Sequence, residues 1–122
     1  DPIFGFVVVA MVWPPKEGTS VHDHGTWGVV GVAEGGLSVT NYIRNDDGSQ
    51  PGHASLTELG TISARAGDAT HVLHPDEDIH KVWNSTNKQS ISIHTYGMTI
   101  NRCNVFDIKT NSIEQIELSY DN

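Results

Sequence analysis

The sequence contains one cysteine, Cys103, so no disulfide can close within the chain and nothing in it calls for an oxidising compartment. Basic residues are scarce: seven Lys and Arg stand against fifteen Asp and Glu, a formal net charge of −8. That balance argues against nucleic acid, or an anionic membrane surface, as the main partner. Long apolar runs are missing as well. The longest, residues 3–13, is too short to cross a bilayer and lacks the small-residue cleavage site of a signal peptide, so a core strand in a cytoplasmic protein is expected. No stretch of ten or more residues carries helical periodicity, and no repeat occurs at solenoid spacing. The chain opens on Asp1 rather than Met, which leaves room for residues upstream. Its 122 residues are expected to form one domain, 1–122, large enough for a hydrophobic core without covalent staples.

What is present is a series of short strands divided by Gly and Pro turns. Residues 4–12 are rich in Val and aromatics and stop at Pro14-Pro15. Residues 20–24 and 27–33 read as the next strands, with a kink at Gly25 or Gly28. Glu34-Gly35-Gly36 signals a hairpin into residues 37–44, and residues 45–53 form a polar loop. Two short strands are expected over 55–59 and 61–66, then a fragment at 71–74 before the acidic turn Pro75-Asp76-Glu77-Asp78. Residues 79–83 are extended, 90–96 alternate cleanly, and 105–108 with 113–118 make a closing hairpin. This pattern predicts an all-β sandwich or barrel.

Seven histidines in a chain of this length require an explanation, and His22-Asp23-His24 supplies the first part of one. An extended chain places residues i and i+2 on one face, so both imidazoles can clasp one ion while Asp23 points the other way. Alone the pair is a weak signal, because surface strands show it by chance. Gly18, His22, His24 and Gly35, followed by Gly67, Pro75, His80 and Asn84, together resemble the two halves of the cupin pattern. That resemblance implies a double-stranded β-helix, or jelly-roll barrel, with His80 as the third metal ligand. The pattern usually carries a glutamate four residues after the second histidine, and here Gly28 stands in its place. Three neutral imidazoles leave a dipositive ion uncompensated and favour anionic ligands from substrate, with positions open for catalysis. His74 is the rival third ligand, disfavoured because Pro75 follows it directly. His53 and His71 are read as loop and strand-end residues.

In residues 90–96 the period of two puts Ser92, His94 and Tyr96 on one face, with Ile91 and Ile93 on the other. A hydroxyl, an imidazole and a phenol in a row form a relay in which Ser92 sets the tautomer of His94 and His94 orients Tyr96. A polar ladder on a solvated face gives the same spacing. The combination His22-Asp23-His24-Gly25-Thr26-Trp27, an upstream Trp13-Pro14-Pro15, His80-Lys81-Val82-Trp83-Asn84, the 90–97 segment and a closing Tyr120-Asp121-Asn122 resembles the thiol dioxygenases. These are the cysteine dioxygenase family, with the bacterial 3-mercaptopropionate enzymes the closer kin.

The resemblance implies an Fe(2+) enzyme that oxidises a small thiol to its sulfinic acid with O2. His22, His24 and His80 would be the iron ligands, and Ser92, His94 and Tyr96 the relay. Mammalian members crosslink a cysteine at the Gly28 position to the relay tyrosine; this chain cannot. The family's longer N-terminal region, source of one carboxylate-binding arginine, is not matched. Arg102 is the remaining candidate for a substrate carboxylate, displaced by one residue from the family's register, and a solvated strand-end charge is its other reading. Trp27 and Trp83 are expected to pack the barrel and shield the site. Two other functions fit part of the pattern: a cupin oxygenase or isomerase acting on a non-thiol molecule, and a non-catalytic metal or small-molecule binder.

Overall fold

The computed structural model describes residues 5–118, so the expected Tyr120-Asp121-Asn122 terminus lies outside the described residues. Ten strands succeed one another: β1 (Val7–Trp13), β2 (Val21–His22), β3 (Gly28–Glu34), β4 (Gly36–Arg44), β5 (Leu56–Arg65), β6 (Ala69–Val72), β7 (Ile79–Trp83), β8 (Ser90–Tyr96), β9 (Arg102–Asp107) and β10 (Ser112–Glu117). They form two sheets, one ordered β1-β8-β3-β6 and the other β10-β9-β2-β7-β4-β5, in which every strand pair is antiparallel. Among the described residues there is no helix, as the missing 3.6-residue period predicts.

Alternation decides which side chains meet between the sheets. Ser90, Ser92, His94 and Tyr96 of β8 are buried while Ile93 is exposed, so the polar set faces inward and the isoleucines outward. On β1 the inward row ends in Trp13, and Val8 and Val12 face solvent. Trp13, Val32, Leu37, Val39, Ala64 and Val82 make the apolar core between the sheets. Tyr42 and Ile79, three residues from Val39 on β4 and from Val82 on β7 and so of opposite parity, point through the larger sheet instead. There they pack with Val21, Ala54 and Phe106 under the 45–55 loop and the β9–β10 hairpin. The larger sheet therefore has apolar packing on both faces.

Two differences from the expected strands have local causes. The segment expected as two strands around residue 60 is one strand, β5, with Leu59 bulged out between the Asn41–Gly60 and Tyr42–Glu58 pairs. Gly60 sits at φ 137°, a backbone that side chains rarely adopt, and this explains why the break signal bends the strand without ending it. The strand expected over residues 20–24 shrinks to Val21–His22. Elsewhere the turn chemistry is as expected: Gly35 alone joins β3 to β4 at φ 74°, where a Cβ would press on Ser90 Oγ.

Asn84, fully buried beyond β7, holds the loops together. Its Nδ2 donates to the carbonyls of Trp13 (3.0 Å), Pro14 (3.3 Å) and Lys88 (2.8 Å), and its Oδ1 accepts from the Thr86 backbone and hydroxyl. Asn84→Ala strands these carbonyls in the interior. Chemical denaturation of the variant is expected to show a loss of about 2–3 kcal/mol; a loss within experimental error would make the clamp incidental.

Candidate metal centre

His22 and His80 face each other directly across the β2–β7 ladder, and opposed residues on antiparallel strands project from the same face. β2 lies between β7 and β9: His22 is paired on both sides, with His80 and Val105, and Val21 with Phe106 of β9. His24 lies beyond the end of β2, and strand periodicity does not place it. Asp23 turns outward and accepts from the Asn104 backbone N–H and side-chain amide, each at 2.8 Å, while its own N–H donates to the Asn104 carbonyl. Asp78, from the turn before β7, then captures the next two residues. Its carboxylate accepts from the His24 N–H (3.1 Å), the Gly25 N–H (3.0 Å) and His74 Nδ1 (2.9 Å). His24 Nδ1 lies 2.9 Å from the Asp78 carbonyl and 3.2 Å from its carboxylate.

The three rings converge. Their centroids are 4.8 Å (His22–His24), 4.9 Å (His22–His80) and 4.5 Å (His24–His80) apart, and one ligand nitrogen from each lies within 4.8 Å of the others. Only acceptors surround His24 Nδ1, so that nitrogen carries the hydrogen and Nε2 carries the lone pair. Nε2 is buried without a hydrogen-bond partner. His22 repeats the arrangement by donating from Nδ1 to the Ser20 carbonyl at 2.8 Å. Burial, aided by the neighbouring imidazoles, lowers His22 to about 4 and His80 to about 2, so both rings are neutral at pH 7. Neutral, convergent imidazoles with an orphaned lone pair fit a transition-metal ion. His74 is not in this set: its half-exposed ring braces Asp78 from outside.

Asp78 carries no mark in the sequence, where it reads as one more acid in a turn. Burial alone would raise its carboxyl, but hydrogen bonds from His24, His74 and the Gly25 N–H outweigh that and hold it below the usual carboxylate range. A charged carboxylate behind His24 makes that imidazole a stronger donor and fixes its plane.

β8 supplies the second half of the site. Ser92 Oγ is 2.6 Å from His94 Nε2, and His94 Nδ1 is 3.0 Å from the Tyr96 hydroxyl. Trp13 Nε1 donates to Ser92 Oγ at 2.8 Å, extending the row by one member that the sequence marks only as part of a motif. Indole N–H is a donor only, so Ser92 Oγ accepts from it. That leaves Ser92 its hydrogen and one lone pair toward His94: it donates to Nε2 when Nδ1–H donates to the Tyr96 oxygen, and accepts from Nε2–H in the other tautomer. Burial, with the charges of His24 and His22 second, lowers His94 to about 4 and keeps the ring neutral for this role. Tyr96 stacks on His24, centroids 5.7 Å apart, so the chain ends against the imidazole cluster.

Gly28 explains the missing glutamate. It pairs with Tyr96 across β3–β8, and a Cβ there would lie 2.7 Å from Tyr96 Cδ1. The ring occupies the space that a longer side chain would need.

The remaining expected residues are placed elsewhere. Arg102 is exposed at the first residue of β9, opposite Glu117 of β10. Trp27 and Trp83 are 45% and 42% exposed, so the shielding expected of them falls to the buried Trp13. Cys103 is buried, and burial with Asp23 nearby pushes its thiol up, away from the reactive thiolate.

A family model described as cysteine dioxygenase type I matches residues 4–109 of the chain. Solved structures similar in fold include an oxalate oxidase, at 18% identity and TM-score 0.59 over 77% of this chain, which spans 42% of that enzyme. A cupin superfamily protein from Desulfitobacterium hafniense DCB-2 is 12% identical, with TM-score 0.55 over 78% of this chain and 69% of its own. The Drosophila melanogaster CENP-C cupin domain is 16% identical, with TM-score 0.55 over 73% of this chain and 59% of its own. At these identities the likeness establishes the fold, a cupin β-sandwich.

Two measurements test the geometry. Asp78→Ala is expected to weaken metal retention about 10- to 100-fold, read by competition with a chelator; unchanged retention would make the clasp irrelevant to the site. The lowered histidines set the second. The folded state binds their protons less readily than the unfolded chain, so stability is complete above about 6.5 and falls as pH drops toward about 4. The melting temperature of the metal-free protein is expected to decline across that window; a flat profile would mean the imidazoles are not buried as neutral rings.

Proposed function

The chain belongs to the cysteine dioxygenase type I family, and on that premise we propose that it is an Fe(2+)-dependent thiol dioxygenase, close in kind to the bacterial 3-mercaptopropionate enzymes. In this reading residues 1–122 form one cupin domain of a cytoplasmic enzyme. It converts a small thiol and O2 to the sulfinic acid, both oxygen atoms ending on sulfur and the four electrons lost by sulfur reducing the O2. The observation that carries it is the junction of two devices: three imidazoles converge on one point, and a buried hydrogen-bond chain ends in a phenol stacked against one of them. A simple metal-binding module has no use for the second device.

His22, His24 and His80 would hold the ion. When bound, iron would bring thiolate and O2 together and supply the redox chemistry. Everything else falls to the chain's own residues. In this reading the Tyr96 oxygen accepts from His94 and its own hydrogen is donated to the substrate beside His24, on which the ring stacks. That donor would orient the substrate's charged atoms. Ser92, held by Trp13, would donate to His94 Nε2 and so keep the tautomer whose Nδ1–H donates to Tyr96. Asp78 would stiffen His24 and offset part of the ion's charge, and Val30, Val72 and Trp13 exclude water from the inner wall. Arg102 keeps the role of carboxylate partner only as a candidate, one that its exposed place at the head of β9 does not support.

Three experiments bear on this reading. The iron-loaded protein is expected to consume O2 with a small thiol and release the sulfinic acid. His80→Ala is expected to lose iron, whereas Tyr96→Phe keeps iron and loses turnover on the order of 10²-fold. Tightly held zinc without turnover, or turnover of a diketone in place of every thiol, would defeat the proposal.

A further inference from the structure

The fold covers the back of one sheet and leaves the back of the other bare. Behind the larger sheet, Tyr42 and Ile79 are buried with Val21, Ala54 and Phe106 under the 45–55 loop and the β9–β10 hairpin. Behind the smaller sheet the outward side chains stay in solvent: Val8 and Val12 of β1, Val29 of β3 and Ile93 of β8 are each 40% exposed or more. They stand in ordered rows. Val8, Thr95, Val29 and His71 pair in register across β1, β8, β3 and β6, and so do Ala10, Ile93, Gly31 and Ala69. Directly opposed residues project from the same face, so Ile93 rises between two small neighbours, Ala10 and Gly31.

This face is nearly free of charge. The chain carries a net −8, yet its four strands contain one Asp, Glu, Lys or Arg among them, Glu34 at the end of β3. The sheet edge is equally unguarded. β1 reads Val-Val-Val-Ala-Met-Val-Trp, pairs with β8 without a bulge, and has no Lys, Pro or Gly to blunt it.

A contiguous apolar surface of this kind marks an interaction site. A nucleic acid or an anionic lipid surface would need cations, and these strands offer none. A second copy of the chain makes the opposite demand. In a two-fold dimer one patch meets itself, so an acidic chain associates best through a face without charge. The relief is self-complementary as well. A two-fold axis along the strands, between β8 and β3, sets Ile93 of each copy over Gly31 of the other, a projecting side chain over a position that has none. Four strands about 4.8 Å apart, some six residues long, make a face roughly 20 Å square. With side chains roughening it, mating two such faces removes on the order of 1,000 Å² from water, the size of a weak, reversible dimer.

We infer that the outer face of the smaller sheet is a homodimer interface, two copies packing sheet against sheet across β8 and β3. The interface backs the strand whose other face carries Ser92, His94 and Tyr96, and the inference does not depend on the dioxygenase reading.

The test is analytical ultracentrifugation of the protein from about 1 µM to about 1 mM, where a reversible monomer–dimer equilibrium with Kd on the order of 10 µM is expected. Ile93 is part-exposed, so Ile93→Lys folds; by placing cations in the interface it is expected to raise Kd at least about tenfold. A Cβ at Gly31 meets nothing nearer than the Ile93 carbonyl at 4.0 Å, so Gly31→Leu also folds, and by filling the seat of the partner copy's isoleucine it weakens the dimer comparably. Leu59→Lys, on the exposed part of β5, leaves Kd unchanged. Melting temperatures taken below Kd, where every variant is a monomer, check that each one folds. A protein that stays monomeric throughout overturns the inference and leaves the face to chain preceding Asp1 or to a different partner. A dimer that neither Ile93→Lys nor Gly31→Leu moves overturns it too, as does one that Leu59→Lys weakens equally.

Discussion

A buried carboxylate that must be satisfied is the constraint on which the metal centre depends. Asp78 accepts from two backbone N–H groups and two imidazoles, and each of those bonds fixes a part of the chain that regular structure leaves loose. β2 is two residues long and cannot carry His24 by itself. An uncompensated charge in that position would be costly, so the loop after β2 is drawn onto the turn before β7. The same contacts set which nitrogen of His24 is protonated. Position and protonation state thus come from one interaction.

The β8 chain works by the same logic in a neutral form. Trp13 can only donate, so an indole on another strand occupies one lone pair of Ser92 and helps hold that hydroxyl against His94. Apolar packing on both faces of the larger sheet holds β7, and with it His80, from two sides. The site is rigid because its supports are strands and buried groups.

How much of this the sequence disclosed depends on the range of the interaction responsible. β7 and β8 match their expected spans, because alternation and flanking turns are local signals and both strands obey them. The row Ser92, His94, Tyr96 shares one face for the same reason, and burial, which periodicity does not report, excludes a ladder on a solvated face. The split expected in β5 came from reading Gly60 as a terminator when its effect is a bulge, a distinction set by the partner strand β4. Asp78 and the role of Trp13 were hidden for a deeper reason. Their partners, His24 and Ser92, are 54 and 79 residues away in the chain, and nothing near either residue marks it. The acid at 78 was visible as one of three in a turn; its burial was not. Gly28 was visible as a departure from the cupin pattern, and only the Tyr96 ring packed against it explains the departure.

The alternation of β8 has a consequence for how the molecule reaches its working form. Side chains on a strand repeat every two residues, so a slip of one position against β1 or β3 would turn Ile91, Ile93 and Thr95 inward and carry Ser92, His94 and Tyr96 into solvent. Such a misthreaded sandwich would still bury hydrocarbon, with isoleucine where the polar row belongs, and so would be a credible competitor during folding. What it would lack is any acceptor for the Trp13 indole and any phenol over His24. The polar row therefore serves as a proofreading mark: hydrophobic burial alone tolerates either threading, whereas hydrogen bonding accepts one.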